Sequence, residues 1–498
     1  MRSLLLLDPT PQFELSPDLY MQFMEPLGIT DSSVEAAWDF IHHSWRPEFI
    51  DMGRKLAPSC IRWGGILTSF WKWREGVGPR GERAPMHNYL WGGLETNQVG
   101  VHEIIALCRL LDAEPLIGVN FAADGRPAYI QTPAGEQRAG TAEEAADLVS
   151  YCNDPTHPER RANGAPDPFG VRLWQIGNET SYPAQGQRFS SQENAEQYLR
   201  FAKAMRARDE SIQLIGWGDH ERQGEAWFAR DLLETAGEYV DYVAAHMMNQ
   251  HPTRQDTILK SRDYAADRDR AWEELGEIYQ LVADKLDALR QVVRGAGSPA
   301  CLALTEGHLS LKPHNVNPLL TEWLAGLYNA RIFSLYERNG DFVKIATQAD
   351  FFGNRWTVNA LMVGGAFQKP YLLPAGTIMS FFRRYSGSQG LAAPPTLGSL
   401  EMSASRSGNT LYLHVVNTAL HTGEPVEIAI EGMRILSAHV EEIAPGDIAA
   451  YVDHERRDTF EPVSRDVLVS ENRIAWTFPS ASVSVLIVDV APEPEPAG

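Results

Sequence analysis

Eight short apolar runs, each followed by a stretch of helical character, recur through about the first 380 residues and limit what this chain can fold into. They are Leu19 to Met24, Ser59 to Trp63, Pro115 to Phe121, Val171 to Ile176, Ile212 to Trp217, Tyr242 to Met247, Cys301 to Thr305 and Phe342 to Ala346. Runs this short and this continuously apolar fit strands covered on both faces, as in a parallel sheet flanked by helices. Between them, Thr141 and Glu144 have capping-box spacing ahead of the apolar stripe Ala145, Leu148, Val149 and Cys152. Ser190 and Glu193 repeat the pattern ahead of Ala195, Tyr198, Leu199, Ala202 and Met205, and Val101 to Leu111 forms a third amphipathic helix. Strand then helix, repeated eight times, predicts an α/β fold of the (β/α)8 TIM-barrel type, with an open doubly wound sheet as the alternative.

Past residue 385 the texture changes to alternating strands separated by turn signals, such as Thr410 to Val416 after Ser407-Gly408-Asn409. That pattern predicts a C-terminal antiparallel β-sandwich. The expected division is a barrel over 16–384 and a sandwich over 385–498, which the strand Ser3 to Leu7 within residues 1–15 also joins. The Pro-Glu repeats of the final Pro492 to Gly498 read as a disordered tail.

Charge narrows the partners. With 65 acidic against 44 basic residues the net charge is -21, which opposes binding to nucleic acid or to an anionic membrane and leaves a neutral small ligand. The four cysteines, Cys60, Cys108, Cys152 and Cys301, lie far apart in apolar sequence and read as reduced core residues. The apolar run Leu4 to Leu7 ends at Asp8-Pro9, short of the roughly seven to fifteen residues of an export signal. A cytoplasmic protein is expected. Metal and cofactor motifs are not expected either: His102-Glu103 lacks a second histidine at helical spacing, and Gly76 to Gly81 satisfies GxGxxG but contains Pro79 and opens no helix.

In a barrel of this type the residues at the C-terminal strand ends face the active site. The first strand leads to Glu25, the second carries Arg62, the fourth runs into Asn178-Glu179, the sixth reaches His246 and the seventh Glu306. Each has a bland explanation alone, since strand-end acids also cap helices or pair with arginines. Two glutamates in matched strand-end contexts, Ile176-Gly177-Asn178-Glu179 and Leu304-Thr305-Glu306, fit the carboxyl pair that cleaves glycosidic bonds.

Several segments carry a more specific likeness. Arg62-Trp63-Gly64-Gly65, Trp73 to Arg80, Glu95 to Gly100, Ala113 to Leu116, and Leu15 to Tyr20 leading to Glu25 resemble the α-L-arabinofuranosidases of glycoside hydrolase family 51, as do Asp458 to Pro462 and Pro479 to Val483. The resemblance implies a retaining, exo-acting (β/α)8 hydrolase with no required cofactor. In it Glu179 is the general acid/base, Glu306 the nucleophile, Glu25, Arg62, Asn178 and His246 hold the sugar or tune the two acids, and Trp91 lines the entrance. It also implies a homo-oligomer. Arg62 and His246 are expected to supply donors or positive charge to Glu306.

The chain departs from the family pattern near the sugar. Gly64-Gly65-Ile66 replaces the usual Gly-Gly-Asn, Thr305-Glu306-Gly307-His308 replaces Asp-Glu-Trp-Asn, and Met248 stands where a tyrosine is usual. These changes leave room for another glycoside, such as a β-galactofuranoside, β-xyloside or β-glucan. A catalytically silent carbohydrate-binding protein is the alternative from another class.

Overall fold

The computed structural model describes residues 3–25, 34–182, 189–220, 226–364 and 368–492. Pro492, the first residue of the expected tail, instead ends the strand Ser482–Pro492, and the rest of that tail lies outside the described residues. All eight expected strands form: Met21–Met24, Cys60–Trp63, Glu114–Val119, Leu173–Ile176, Gln213–Trp217, Tyr242–Met247, Cys301–Gly307 and Val343–Ala346. In chain order each is the hydrogen-bonded neighbour of the next within an 11-stranded sheet. Every one of these pairings is parallel. The sheet curls back on itself. A parallel bridge joins Tyr20, just before the first strand, to Ala346 at the end of the eighth, and the next strand, Asp350–Gly353, pairs with the first through Asp350 and Phe23.

The curl has a filled interior. Met21, Phe23, Cys60, Leu116, Leu173, Ile215, Trp217, Ala244, Ala303 and Ile345 form one buried cluster to which every one of the eight strands contributes. Alternate residues of the same strands, such as Ile61, Ile117, Trp174, Leu214, Val243 and Leu302, belong instead to the large cluster shared with the helices. Burial on both faces is the physical reason the strands read as unbroken apolar runs.

The helices follow their sequence signals. Val101–Leu111 buries Val101, Ile104, Cys108 and Leu111. Ser190 and Glu193 make a reciprocal capping box, with Glu193 N–H donating to Ser190 Oγ at 3.3 Å and Ser190 N–H to Glu193 Oε2 at 2.8 Å. At the helix Ala142–Asn153 only half of the expected box forms. Thr141 Oγ1 accepts from Glu144 N–H at 3.1 Å, but the Glu144 carboxylate takes the Lys72 ammonium at 2.7 Å. A charged donor outbids the backbone amide for the carboxylate.

The C-terminal part contains a seven-stranded and a four-stranded sheet. Ser3–Leu7 joins the smaller one, pairing parallel with Glu424–Ile430. Leu5, Val426 and Ile474 from this sheet share a buried cluster with Leu413, Val440 and Leu486 from the larger one. The strand Pro11–Glu14, not foreseen in the sequence, adds to the larger sheet beside Gln389–Leu391. No helix among the described residues is long and apolar enough to cross a membrane.

Candidate active site

Arg62 organises the C-terminal end of the curled sheet. Its side chain is 1% exposed and its guanidinium serves the fourth and seventh strands together. Nε donates to Gln175 Oε1 at 2.7 Å, Nη2 to Asn178 Oδ1 at 2.6 Å, and Nη1 to Glu306 Oε1 at 2.8 Å. A planar fork with fixed donors suits this task, because one rigid group sets three acceptors relative to one another.

Two irregularities bring the carboxyl groups together. The fourth strand ends at Ile176, and the chain then turns through Gly177 at φ 87° and Glu179 at φ 52°. Glycine adopts this region freely, whereas a glutamate held there is strained by about 1 to 3 kcal/mol. In return, the turn sends the consecutive residues Asn178 and Glu179 to one site, which a regular strand cannot do. On the seventh strand, Leu304 pairs with Ala245 and Glu306 with His246, so two residues oppose one. This bulge puts Glu306, not Thr305, in phase with His246.

His246 lies between the glutamates. Nδ1 is 3.1 Å from Glu179 Oε1 and 3.6 Å from Glu306 Oε2, while Nε2 is 3.1 Å from Thr305 Oγ1. Burial pushes its pKa down from 6.5 to about 4, and the Arg62 and Lys285 cations assist against the opposing pull of Glu306 and Asp219. The imidazole is therefore neutral near pH 7. Of the two groups expected to supply donors or positive charge to Glu306, Arg62 brings the charge and His246 a neutral ring. The ring is fixed from behind by Trp217, edge-on at 4.6 Å between centroids. Asp219 Oδ2 accepts the His246 backbone N–H at 3.1 Å, the Tyr182 hydroxyl at 2.9 Å and the Lys285 ammonium at 2.8 Å. Burial alone would raise the Asp219 pKa, but Lys285 outweighs it and holds the carboxyl below its usual range.

Glu25 reaches the same region. A Cβ on Gly65, at φ 99°, would lie 1.7 Å from Glu25 Oε1, so the glycine makes room for the carboxylate. Asp124, 1% exposed, accepts the Ser69 hydroxyl from a run of left-handed residues, Ala122 to Gly125. Burial pushes its pKa up to about 7, and the charge of Glu179 nearby adds to the effect. Trp91 stands apart. It is 50% exposed on the turn between Met86–His87 and Leu94–Glu95. The side chain of Ile66 lies outside the described residues. At Gly307 a Cβ would meet Met247 Cβ at 3.0 Å, tighter than ordinary contact, so a side chain there would require its neighbour to shift.

Glu179, His246 and Glu306 each offer one atom, all within 4.8 Å of one another, and are the described residues able to grip a cation together. Arg62 already neutralises one of the two carboxylates. The arrangement is therefore equipped to place two carboxyl groups on either side of a single reacting carbon.

The family model for the α-L-arabinofuranosidase 1 domain matches residues 52–268, which include Arg62, Asn178, Glu179 and His246. The chain is 31% identical over 257 residues to an exo-α-(1→6)-L-arabinofuranosidase of Bifidobacterium longum, covering 49% of this chain and 46% of the relative. Over residues 52–268 the chain is α-L-arabinofuranosidase-like. An intracellular exo-α-(1→5)-L-arabinofuranosidase of Acetivibrio thermocellus is 26% identical over 268 residues, covering 50% of this chain and 49% of the relative. The arabinofuranosidase-like chain thus spans about half the length of the curated relatives it matches. Its fold is similar to that of an α-L-arabinofuranosidase from Thermotoga maritima, with a TM-score of 0.78, 21% identity, and coverage of 98% and 99% of the two chains. It is similar also to a family 51 α-L-arabinofuranosidase from Bifidobacterium longum, with a TM-score of 0.79, 18% identity, and coverage of 96% and 97%.

Four contributors were not singled out in the sequence: Gln175, Thr305, Asp219 and Asp124. Asp219 was findable, since it is an acid just beyond the fifth strand, as Glu25 and Glu179 are just beyond theirs. Asp124 sits beyond the third strand in a run with no recognisable signal.

Proposed function

We propose that this chain is a retaining glycoside hydrolase that releases terminal α-L-arabinofuranosyl residues by double displacement. The reading takes the curled sheet as a closed (β/α)8 barrel over 16–384 and the two C-terminal sheets, with residues 1–15, as a β-sandwich. One observation carries the mechanism: an oxygen of Glu179 lies within 4.8 Å of an oxygen of Glu306. Retaining enzymes hold their carboxyl groups about 5 to 5.5 Å apart, whereas inverting ones leave about 6.5 to 9.5 Å for a water.

Glu306, with Arg62 bound to one oxygen, attacks the anomeric carbon with the other. Glu179 protonates the leaving oxygen, then takes a proton from the water that releases the sugar. Neutral His246 suits both steps. In the resting enzyme the hydroxyl of protonated Glu179 donates to Nδ1 and the Nε2–H donates to Thr305 Oγ1; bound substrate draws that hydroxyl to the leaving oxygen. When Glu179 is ionised the other tautomer donates from Nδ1, and the Thr305 hydroxyl turns to donate to Nε2. A hydroxyl can play either part, which keeps the buried ring satisfied throughout. Asn178 Oδ1 is occupied by Arg62, leaving its amide N–H groups for a sugar hydroxyl.

The test is a panel of nitrophenyl glycosides, with α-L-arabinofuranoside beside β-galactofuranoside, β-xyloside and β-glucoside. Wild type should cleave the first with retention at the anomeric carbon, seen by proton NMR of the first-formed sugar. Glu306→Ala should abolish turnover. Glu179→Ala should lose about 10²- to 10⁴-fold and recover part of it with azide as external nucleophile. Inverted product, or full activity in either variant, refutes the assignment.

A further inference from the structure

His308 follows Gly307, the last residue of the seventh strand, two residues beyond Glu306, and lies against Asp350, whose Cα pairs with the interior residue Phe23. Its Nδ1 is 3.0 Å from Asp350 Oδ1. Asp350 is itself fixed by the sheet: its Cα pairs with Phe23 on one side and Asn359 on the other, and its N–H donates to the Val358 carbonyl at 3.2 Å. The histidine side chain remains 12% exposed, and its Nε2 has no hydrogen-bond partner among the described residues. A carboxylate behind a ring fixes both its rotation and its tautomer, here with the proton on Nδ1 and the lone pair on Nε2. The result is one oriented acceptor with no donor to it among the described residues.

We propose that His308 is a sugar-binding residue whose Nε2 takes a hydroxyl of the glycosyl unit attacked by Glu306, and that Asp350 is its positioning residue. The inference rests on the hydrolase reading above and adds a specificity determinant to it. A site that hydrogen-bonds a substrate hydroxyl discriminates strongly against the analogue lacking it, because the buried partner is then left unpaired. This chain should therefore select for one particular hydroxyl of its sugar.

The experiment is a cycle between protein and substrate. Nitrophenyl α-L-arabinofuranoside and its 2-, 3- and 5-deoxy forms are assayed with wild type, His308→Phe, His308→Gln and Asp350→Asn. His308→Phe keeps a flat ring and removes the nitrogens. It should lower kcat/KM on the parent compound by about ten- to hundredfold. On one of the deoxy forms wild type should already have lost that factor, and His308→Phe should lose nothing more. Asp350→Asn should raise KM by a smaller factor while keeping kcat, since it loosens the ring without removing the acceptor. His308→Gln, which retains a polar acceptor, should fall between wild type and His308→Phe and replaces it if the latter fails to fold. Equal losses by His308→Phe on the parent and all three deoxy forms, or no loss on any, overturns the proposal. If wild type cleaves another glycoside of the panel and no arabinofuranoside, the arabinosyl reading falls, and the same cycle on deoxy forms of that glycoside decides His308. A wild type that cleaves none of them overturns both.

Discussion

Lowering the pH puts the neutral state of His246 to a direct test. Its ring is fully buried and titrates near 4, where an exposed histidine titrates near 6.5. The unfolded chain gains the proton as the pH falls through about 6.5, and the folded chain refuses it until about 4. The group's contribution to stability is thus complete above the unfolded value and is lost as the pH falls toward the folded one. At about 1.4 kcal/mol per pH unit, the gap between the two values amounts to about 3.5 kcal/mol in full, of which about 3 kcal/mol is lost by pH 4, where the folded ring is half protonated. The comparison is between wild type and His246→Asn, which fills part of the same space and does not titrate. Urea unfolding followed by tryptophan fluorescence suits the site, because the Trp217 ring is 4.6 Å from the imidazole. Between about pH 7 and about pH 4 the wild type should lose about 3 kcal/mol more than the variant. Equal losses in the two proteins refute the claim that burial keeps this ring neutral, and with it the two-tautomer account of how Glu179 is served.

Asp124 shifts in the opposite sense. Its folded pKa is raised to about 7, so the fold is penalised as the pH rises from about 4 to 7 and carries the full penalty above. Asp124→Asn should therefore stabilise the protein relative to wild type at about pH 8 and much less at about pH 4, by up to about 4 kcal/mol, read from urea midpoints. A variant whose advantage does not grow with pH contradicts the burial of this acid. Lys285→Met leaves the buried Asp219 without its cation and should cost about 3 to 5 kcal/mol, and adding Asp219→Asn should recover most of the loss. Thermal unfolding of the single and double variants checks this; a double variant no better than the single one would show that the pair does not act as a unit.

The strands were legible because burial on both faces leaves a simple trace, a short run with no polar alternation, and their polar ends were legible because charge stands out against it. Arg62, Asn178, Glu179, His246 and Glu306 all meet at one place for that reason. What the sequence does not display is how the backbone departs from regularity. By strand alternation Thr305 would take the place opposite His246, and Glu306 would face the helices. The bulge between Leu304 and Glu306 reverses this, and no residue in Ala303-Leu304-Thr305-Glu306 announces it. Glu179 at φ 52° is similarly silent, although Gly177 two residues before it permits the turn. The charge state of His246 is not legible in the sequence: a histidine beside two acids suggests a cation, and only the depth of burial shows that desolvation wins.

The same two irregularities explain why the site can be precise without resting on long loops. A regular strand delivers one side chain in two to a given face. The turn after Ile176 delivers Asn178 and Glu179 together, and the bulge delivers Thr305 and Glu306 together, all four around the Arg62 and His246 side chains. Arg62 then ties Asn178 to Glu306, and His246 ties Glu179 to Thr305, so each residue pair is braced across the site by a buried group from another strand. Strain at one glutamate is acceptable when the neighbouring structure over-determines its position. If that bracing is what holds Glu179, then Gly177→Ala, which forces a side chain into φ 87°, should lower kcat through misplacement of both Asn178 and Glu179 while leaving the strands intact by circular dichroism. Unchanged kcat in that variant means that the turn does not set the distance between the carboxyl groups.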